Sequence, residues 1–346
     1  MTYPTLLFSA ILLLAAGCSV RTPSSTFAGK YSTTTGQRVI LGTGPNNYRG
    51  YPDDRVLQFN FQTTTCSFGQ VKPPRKAAQE AKQIFAPGIV RVNDTLGIDE
   101  AEIPNWEWLQ YLLRQEQAGA TTAPLLPLSS ALPSPNYFSN PFYRYYPVVG
   151  ISYEQAVAFC RWRSQLVTSS FNQSSVKSVD SLSADYVRFT FRLPTEAEWE
   201  LAALANRGLP YSTSCTELPL VVNPSAAAYL KKRSGSAIDA KQITADIKQY
   251  NQRNPLRSWI NYRQIQPYFL QLQSPGYVYQ GPPNDYGLYQ QLGNAAEMVQ
   301  ERGVTKGGSY LDPLEACTVK ARGVYNGPAP HIGFRCVAEV TYPNRK

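Results

Sequence analysis

The residues able to do chemistry are few, and their types narrow the options. The chain has six cysteines, at 18, 66, 160, 215, 317 and 336, and a single histidine, His331. One histidine excludes a multi-histidine metal site and a two-histidine proton relay. A Ser-His-Asp triad would have to use His331, which lies between Pro330 and Ile332 ahead of a strand-like stretch; the residue is read as structural or surface. A cysteine reacts as its thiolate, so any of the six is a candidate only if its surroundings lower its pKa. A structural or disulfide-bonded cysteine is the expectation for each of those in the domain, Cys317 included. Most of the remaining patterning sits in four strings: Arg192-Leu-Pro-Thr-Glu-Ala-Glu-Trp-Glu200, Gly293-Asn-Ala-Ala-Glu297, Lys306-Gly-Gly-Ser-Tyr310 and Ile332-Gly-Phe-Arg-Cys336.

Several elements must position these strings. Val56–Phe61 alternates apolar and polar residues and predicts a strand, as does Gly88–Val92. From Ile98 the pattern turns helical, with Trp108, Tyr111 and Leu112 on one face. Val148–Ile151 is strand-like. Ser152 with Gln155, and Thr195 with Glu198, are capping boxes that start two helices, placing Ala156, Phe159 and Cys160, then Trp199, Ala202 and Ala203, toward a core. Residues 164–186, rich in serine, and 207–283 read as insertions; Ala237–Asn251 within the second predicts a helix. Gly307 and Gly308 predict a turn with positive φ or close backbone approach, and Arg335 a buried or bridged structural charge.

Composition bounds the class. Of 346 residues 43% are hydrophobic and 12% aromatic, enough for a sizeable core, while only 16% are charged. The net charge of +9 comes from scattered basic residues, with no basic run interleaved with aromatics, and nucleic acid is not expected as a partner. Leu6–Gly17 is an apolar run of signal-peptide length ending in Ala-Gly-Cys18, which resembles a bacterial lipobox. That resemblance implies cleavage after residue 17 and lipidation of Cys18, with acyl chains giving stable anchoring, and Ser19 fits an outer-membrane lipoprotein facing the periplasm. Residues 18–50 then read as a flexible tether and 51–346 as one domain with insertions.

The four strings, their order, and Pro147-Val-Val-Gly-Ile-Ser before the first capped helix resemble the formylglycine-generating (sulfatase-modifying factor) family. The resemblance spans residues 98–340 and implies an α+β, C-type-lectin-like fold of the formylglycine-generating-enzyme type, with much irregular structure. It implies a disulfide between Cys160 and Cys336, leaving the pairing of Cys66, Cys215 and Cys317 open. It implies a calcium site at Gln290, Gly293, Ala295 and Glu297, with Glu297 supplying the anionic oxygen. In the resembling enzymes two thiolates five residues apart bind Cu(I); here the corresponding positions are Asp312 and Cys317. A carboxylate beside one thiolate suits copper poorly, because Cu(I) prefers soft ligands, so no catalytic residue is expected.

The lipobox, the insertion before Arg192 and Asn284-Asp-Tyr-Gly-Leu-Tyr289 are most similar to the gliding-motility and type IX secretion lipoproteins of Bacteroidetes. This implies a binding or scaffold component with protein partners in the cell envelope. An active copper-dependent oxidase and a calcium-dependent glycan-binding module are the alternatives.

Overall fold

The structure, a computed structural model, describes residues 32–40, 86–93, 96–174, 177–204, 245, 262–263, 273–279, 284 and 286–345. Cys18, Cys66, Cys215, the Val56–Phe61 strand and all but residue 245 of the predicted helix Ala237–Asn251 lie outside the described residues.

The expected α+β class holds. One sheet contains β1 (Ile89–Arg91), β2 (Gly97–Asp99), β5 (Arg188–Arg192) and β10 (Val337–Thr341), in the order β1-β2-β10-β5 and antiparallel throughout. The second contains β6 (Ala296–Met298), β7 (Val304–Lys306), β8 (Arg322–Val324) and β9 (Ile332–Gly333), in the order β8-β7-β6-β9, with only β6 and β9 parallel. The helices are α1 (Asn105–Gln117), α2 (Tyr153–Asn172) and α3 (Glu196–Leu204), and a short hairpin pairs β3 (Gln173–Ser174) with β4 (Lys177–Ser178).

The helix expected from Ile98 begins later. Ile98 pairs with both Val90 and Val337 as the middle of β2, and α1 starts only after Pro104. Proline explains the boundary: it disfavours helical backbone at Ile103, whose N–H bonds Phe334 O and whose carbonyl accepts from Val148 N. The strand-like stretch Val148–Ile151 joins no sheet, although Pro147 forms an isolated bridge to Pro104. Both capping boxes form. Gln155 N donates to Ser152 Oγ and Ser152 N to Gln155 Oε1; Glu198 N donates to Thr195 Oγ1 and Thr195 N to Glu198 Oε2.

The predicted insertion at 164–186 starts inside α2, and its polar residues have a definite use. Ser164, Thr168 and Asn172 recur every four residues and so share one helix face. Phe191 N donates to Ser164 Oγ, Phe189 N to Thr168 Oγ1 and Val187 N to Asn172 Oδ1, while Asn172 Nδ2 donates to Val187 O. The side of β5 not paired with β10 is thereby hydrogen-bonded to a helix rather than to another strand, which blunts an open sheet edge.

The core lies between α1, α2 and the first sheet. Trp108 stacks on Phe159 with ring centroids 5.5 Å apart, and Phe334 meets both edge-on. Beside them Cys160 Sγ and Cys336 Sγ lie 3.2 Å apart as free buried thiols. Mild oxidation is expected to join these two and no other described cysteine. In the chain-entropy treatment a bond closing so long a loop adds about 4–5 kcal/mol to stability. Peptide mapping under non-reducing conditions, with denaturation with and without reductant, checks this; a different pairing would refute it.

Candidate functional site

The predicted ligand Glu297 sits in the middle strand pair of the second sheet, 1% exposed, and its partner is a guanidinium. Arg335, fully buried, donates through Nε to Oε1 (2.9 Å) and Oε2 (2.7 Å) and through Nη2 to Oε1 (2.7 Å). Trp199 Nε1 of α3 donates to Oε2 at 2.7 Å. The other Arg335 contacts are backbone carbonyls, Asp99 O at the end of β2, Tyr289 O and Gln290 O. Burial opposes the guanidinium's charge, but Glu297 more than offsets this and raises its pKa.

A second carboxylate lies beside the first. Glu102, 1% exposed, accepts from Asn294 Nδ2 (2.7 Å) and Ala295 N (3.0 Å), while Asn294 Oδ1 accepts from Gly276 N. Burial, then the nearby Glu297 charge, push the Glu102 carboxyl well above the usual range; Arg335 and the two hydrogen bonds pull the other way. Asn294 and Gln290 have positive φ, 61° and 50°, so the segment approaching Glu297 is strongly bent.

This arrangement does not fit the calcium site implied by the sequence. Glu297 is the only carboxylate of the four residues, and the guanidinium already engages both its oxygens. Gln290 turns its side-chain amide toward Tyr277 O, and its carbonyl accepts from Arg335 Nη2. Glu102, the other carboxylate in reach, is engaged by Asn294 and Ala295 and has its charged form disfavoured. Among the described residues no group of three or more His, Cys, Asp or Glu is placed to hold a metal ion.

The positions corresponding to the two thiolates lie on the loop after β7. Its entry is steric: Gly308 has φ 66°, and a Cβ there would sit 2.7 Å from Ala316 O and 2.8 Å from Cys317 Sγ. Ser309, fully buried, donates its hydroxyl to Asp312 Oδ2. Its carbonyl accepts from Asp312 N (3.1 Å) and from the Cys317 thiol (3.7 Å). Cys317 has no exposure and packs with Trp199, Leu292 and Val319. Burial, then the Asp312 charge, push its thiol up to about 12, opposite to what a reactive cysteine requires. A Cu(I) site does not fit either, since this loop offers one protonated sulfur beside a hard carboxylate.

His331 faces the same region. Its carbonyl accepts from Ala296 N, its Nδ1 is buried without a hydrogen-bond partner, and burial lowers its pKa against the pull of Asp312. Sequence reasoning identified Glu297, Asp312 and Cys317, and read Arg335 as a buried charge; it missed Glu102, Asn294 and the indole of Trp199. The available signal was an acidic residue, Glu102, placed directly between the apolar Ala101 and Ile103, where a charge must find partners.

Two measurements check the buried cluster. Arg335→Met strands Glu297 without its counter-charge and is expected to cost about 3–5 kcal/mol in chemical denaturation; a loss below 1 kcal/mol would contradict the assignment. Glu102 binds its proton more tightly folded than unfolded, so stability falls as pH rises from the ordinary carboxylate range toward its raised value. Glu100, pushed from 4.5 to about 7 by burial and then Asp99, adds the same sign across that interval. Glu102→Gln is expected to flatten, and not reverse, this slope in denaturation series from pH 4.5 to 8; an unchanged slope would remove Glu102 as its source.

Residues 75–340 match the family described as Sulfatase-modifying factor enzyme 1-like domain. A curated relative, the formylglycine-generating enzyme of Bos taurus, is 23% identical over 229 residues, covering 56% of this chain and 44% of that protein. The chain thus spans less than half the length of that relative. Solved structures with a similar arrangement include PvdO from Pseudomonas aeruginosa (14% identity, 70% of this chain and 80% of that one, TM-score 0.40). CarF is similar at 17% identity over 76% and 90% with TM-score 0.41, and Treponema denticola variable protein 1 at 18% over 73% and 91% with TM-score 0.38. The match over well more than half the chain places it: this protein belongs to the sulfatase-modifying factor family and carries that family's formylglycine-generating-enzyme-like domain.

Proposed function

We propose that this domain binds a partner and does not oxidise one. The observation that carries the reading is the state of the loop after β7: Asp312 is held by Ser309, and Cys317 is enclosed with its thiol pushed up to about 12. Oxidation through a lone sulfur would need it as an accessible thiolate, and this environment works against both requirements. What the loop offers outward is suited to recognition. Leu311, 40% exposed, adjoins the partly exposed Asp312.

In this reading the lipobox-like Cys18 anchors the chain in the outer membrane, and the domain serves as a protein-binding or scaffold component of a bacterial envelope machine for gliding motility or type IX secretion. The resemblance of the sequence to lipoproteins of those machines supports the assignment. A copper-dependent oxidase is less well supported because the loop offers one buried sulfur beside a carboxylate, and a calcium-dependent glycan-binding module because Arg335 already engages both oxygens of Glu297.

Incubation of the full chain with Cu(I), oxygen and cysteine-containing peptides is expected to give no peptide oxidation. Turnover that disappears in Cys317→Ser would overturn the binding reading. Affinity purification from the native envelope is expected to recover secretion or motility components, with recovery reduced by Leu311→Asp and Asp312→Lys on a chain that keeps its Tm.

A further inference from the structure

Residues 32–40 lie before the family match, which begins at residue 75, and within the stretch the sequence assigned to a flexible tether. They are instead packed against α1 and α2, and Ser32, Thr33, Thr34 and Thr35 are all buried. A run of four hydroxyl residues is buried only if each hydroxyl finds a partner. Here one carboxylate takes three of them: Glu107 of α1, 1% exposed, accepts from Ser32 Oγ at 2.5 Å, Thr33 Oγ1 at 2.8 Å and Thr34 Oγ1 at 2.8 Å, and from Thr33 N at 2.7 Å. Thr35 Oγ1 donates to Ser32 Oγ.

The backbone of the segment is read as well. Gln110, one turn along α1, donates through Nε2 to Ile40 O (2.9 Å) and accepts from Ile40 N at Oε1 (2.7 Å), the paired contact one strand makes with another. Arg163 of α2, held by Asp99, donates Nε to Thr34 O at 2.7 Å. Gly88 makes the approach sterically feasible: its φ is 73°, and a Cβ there would sit 2.5 Å from Thr33 O. The segment arrives preorganised, since Ser32 N bonds Gln37 O and Gly36 N bonds Ser32 O to close a tight loop.

We infer that the surface formed by Glu107, Gln110, Arg163 and Gly88 is a peptide-binding site for a hydroxyl-rich turn and the short segment that follows it, occupied in cis by residues 32–40. Recognition runs mainly through side chains of α1 and α2, with Val39 and Ile40 packed only at the partly exposed edge of the main core, which makes it a separable site. When the segment leaves, Glu107 and Gln110 meet water instead of remaining buried and unpaired, so departure does not by itself unfold the domain. The inference does not depend on whether the loop near Asp312 binds or oxidises a partner.

The test uses the full chain with a protease recognition sequence inserted between Gly42 and Thr43. After cleavage under native conditions, the N-terminal fragment is expected to stay with the domain through gel filtration at micromolar concentration. A synthetic peptide of residues 30–42 is expected to displace it, and Glu107→Gln to weaken retention by about tenfold or more, since hydrogen bonds to a charged acceptor are worth about 1.5–3 kcal/mol. Thr33→Ala with Thr34→Ala, which alters only the segment, is expected to do the same and decides the matter if the Glu107 variant fails to fold. A fragment that elutes separately from the unsubstituted domain, or one that both sets of variants hold equally well, would overturn the inference.

Discussion

The contact on which the rest of this fold leans is the buried pair of Arg335 and Glu297. A guanidinium with no exposure must have its donors met, and the residues that meet them come from three parts of the chain, with a fourth bonding its carboxylate partner. Glu297 belongs to β6, Asp99 O ends β2, Tyr289 O lies on the bent approach to β6, and Trp199 of α3 bonds the same carboxylate. The first sheet, the second sheet and α3 are therefore held at one point by directional, charge-assisted bonds. Apolar packing alone would tolerate sliding; this geometry does not. Desolvating two charges is costly, so the pair is better understood as fixing one arrangement of these elements than as a large net source of stability.

The same pair explains why part of the site was legible in the sequence and part was not. Glu297 stands where a calcium ligand was expected, and its short-range pattern gives no hint of a partner 38 residues away. A carboxylate is equally suited to a metal ion or a guanidinium, and only the fold decides which arrives. The helix starts were legible because a capping box is a local agreement between residues three apart, and both formed. The start of α1 was misjudged because helical periodicity runs on through Ile98, whereas Pro104 and pairing with β1 and β10 hold that stretch extended. The serines and threonines of 164–172 looked like loop composition, but their spacing of four is the register of a helix face sealing β5.

Asp312 and Cys317 show how an ordered loop sets the state of a thiol. Gly308, Ser309 and the turn carbonyls form a close loop around the sulfur. In that enclosure the carboxylate at 312 disfavours a thiolate at 317 through charge as well as burial. The residue at 312 thus helps set the state of the residue at 317. The loop survives as a shape, and the side chains turned outward from it define what the shape can be used for.

Asn172 has a consequence of a different kind. By donating to Val187 O and accepting from Val187 N it closes the mouth of the excursion that contains β3 and β4, imitating the pairing of two strands with a single side chain. Residues between those two anchors can lengthen, shorten or change character without the change being felt by α2 or β5. That makes the amide a socket: a place where evolution, or an engineer, can exchange one surface module for another while the sheet beneath keeps its register.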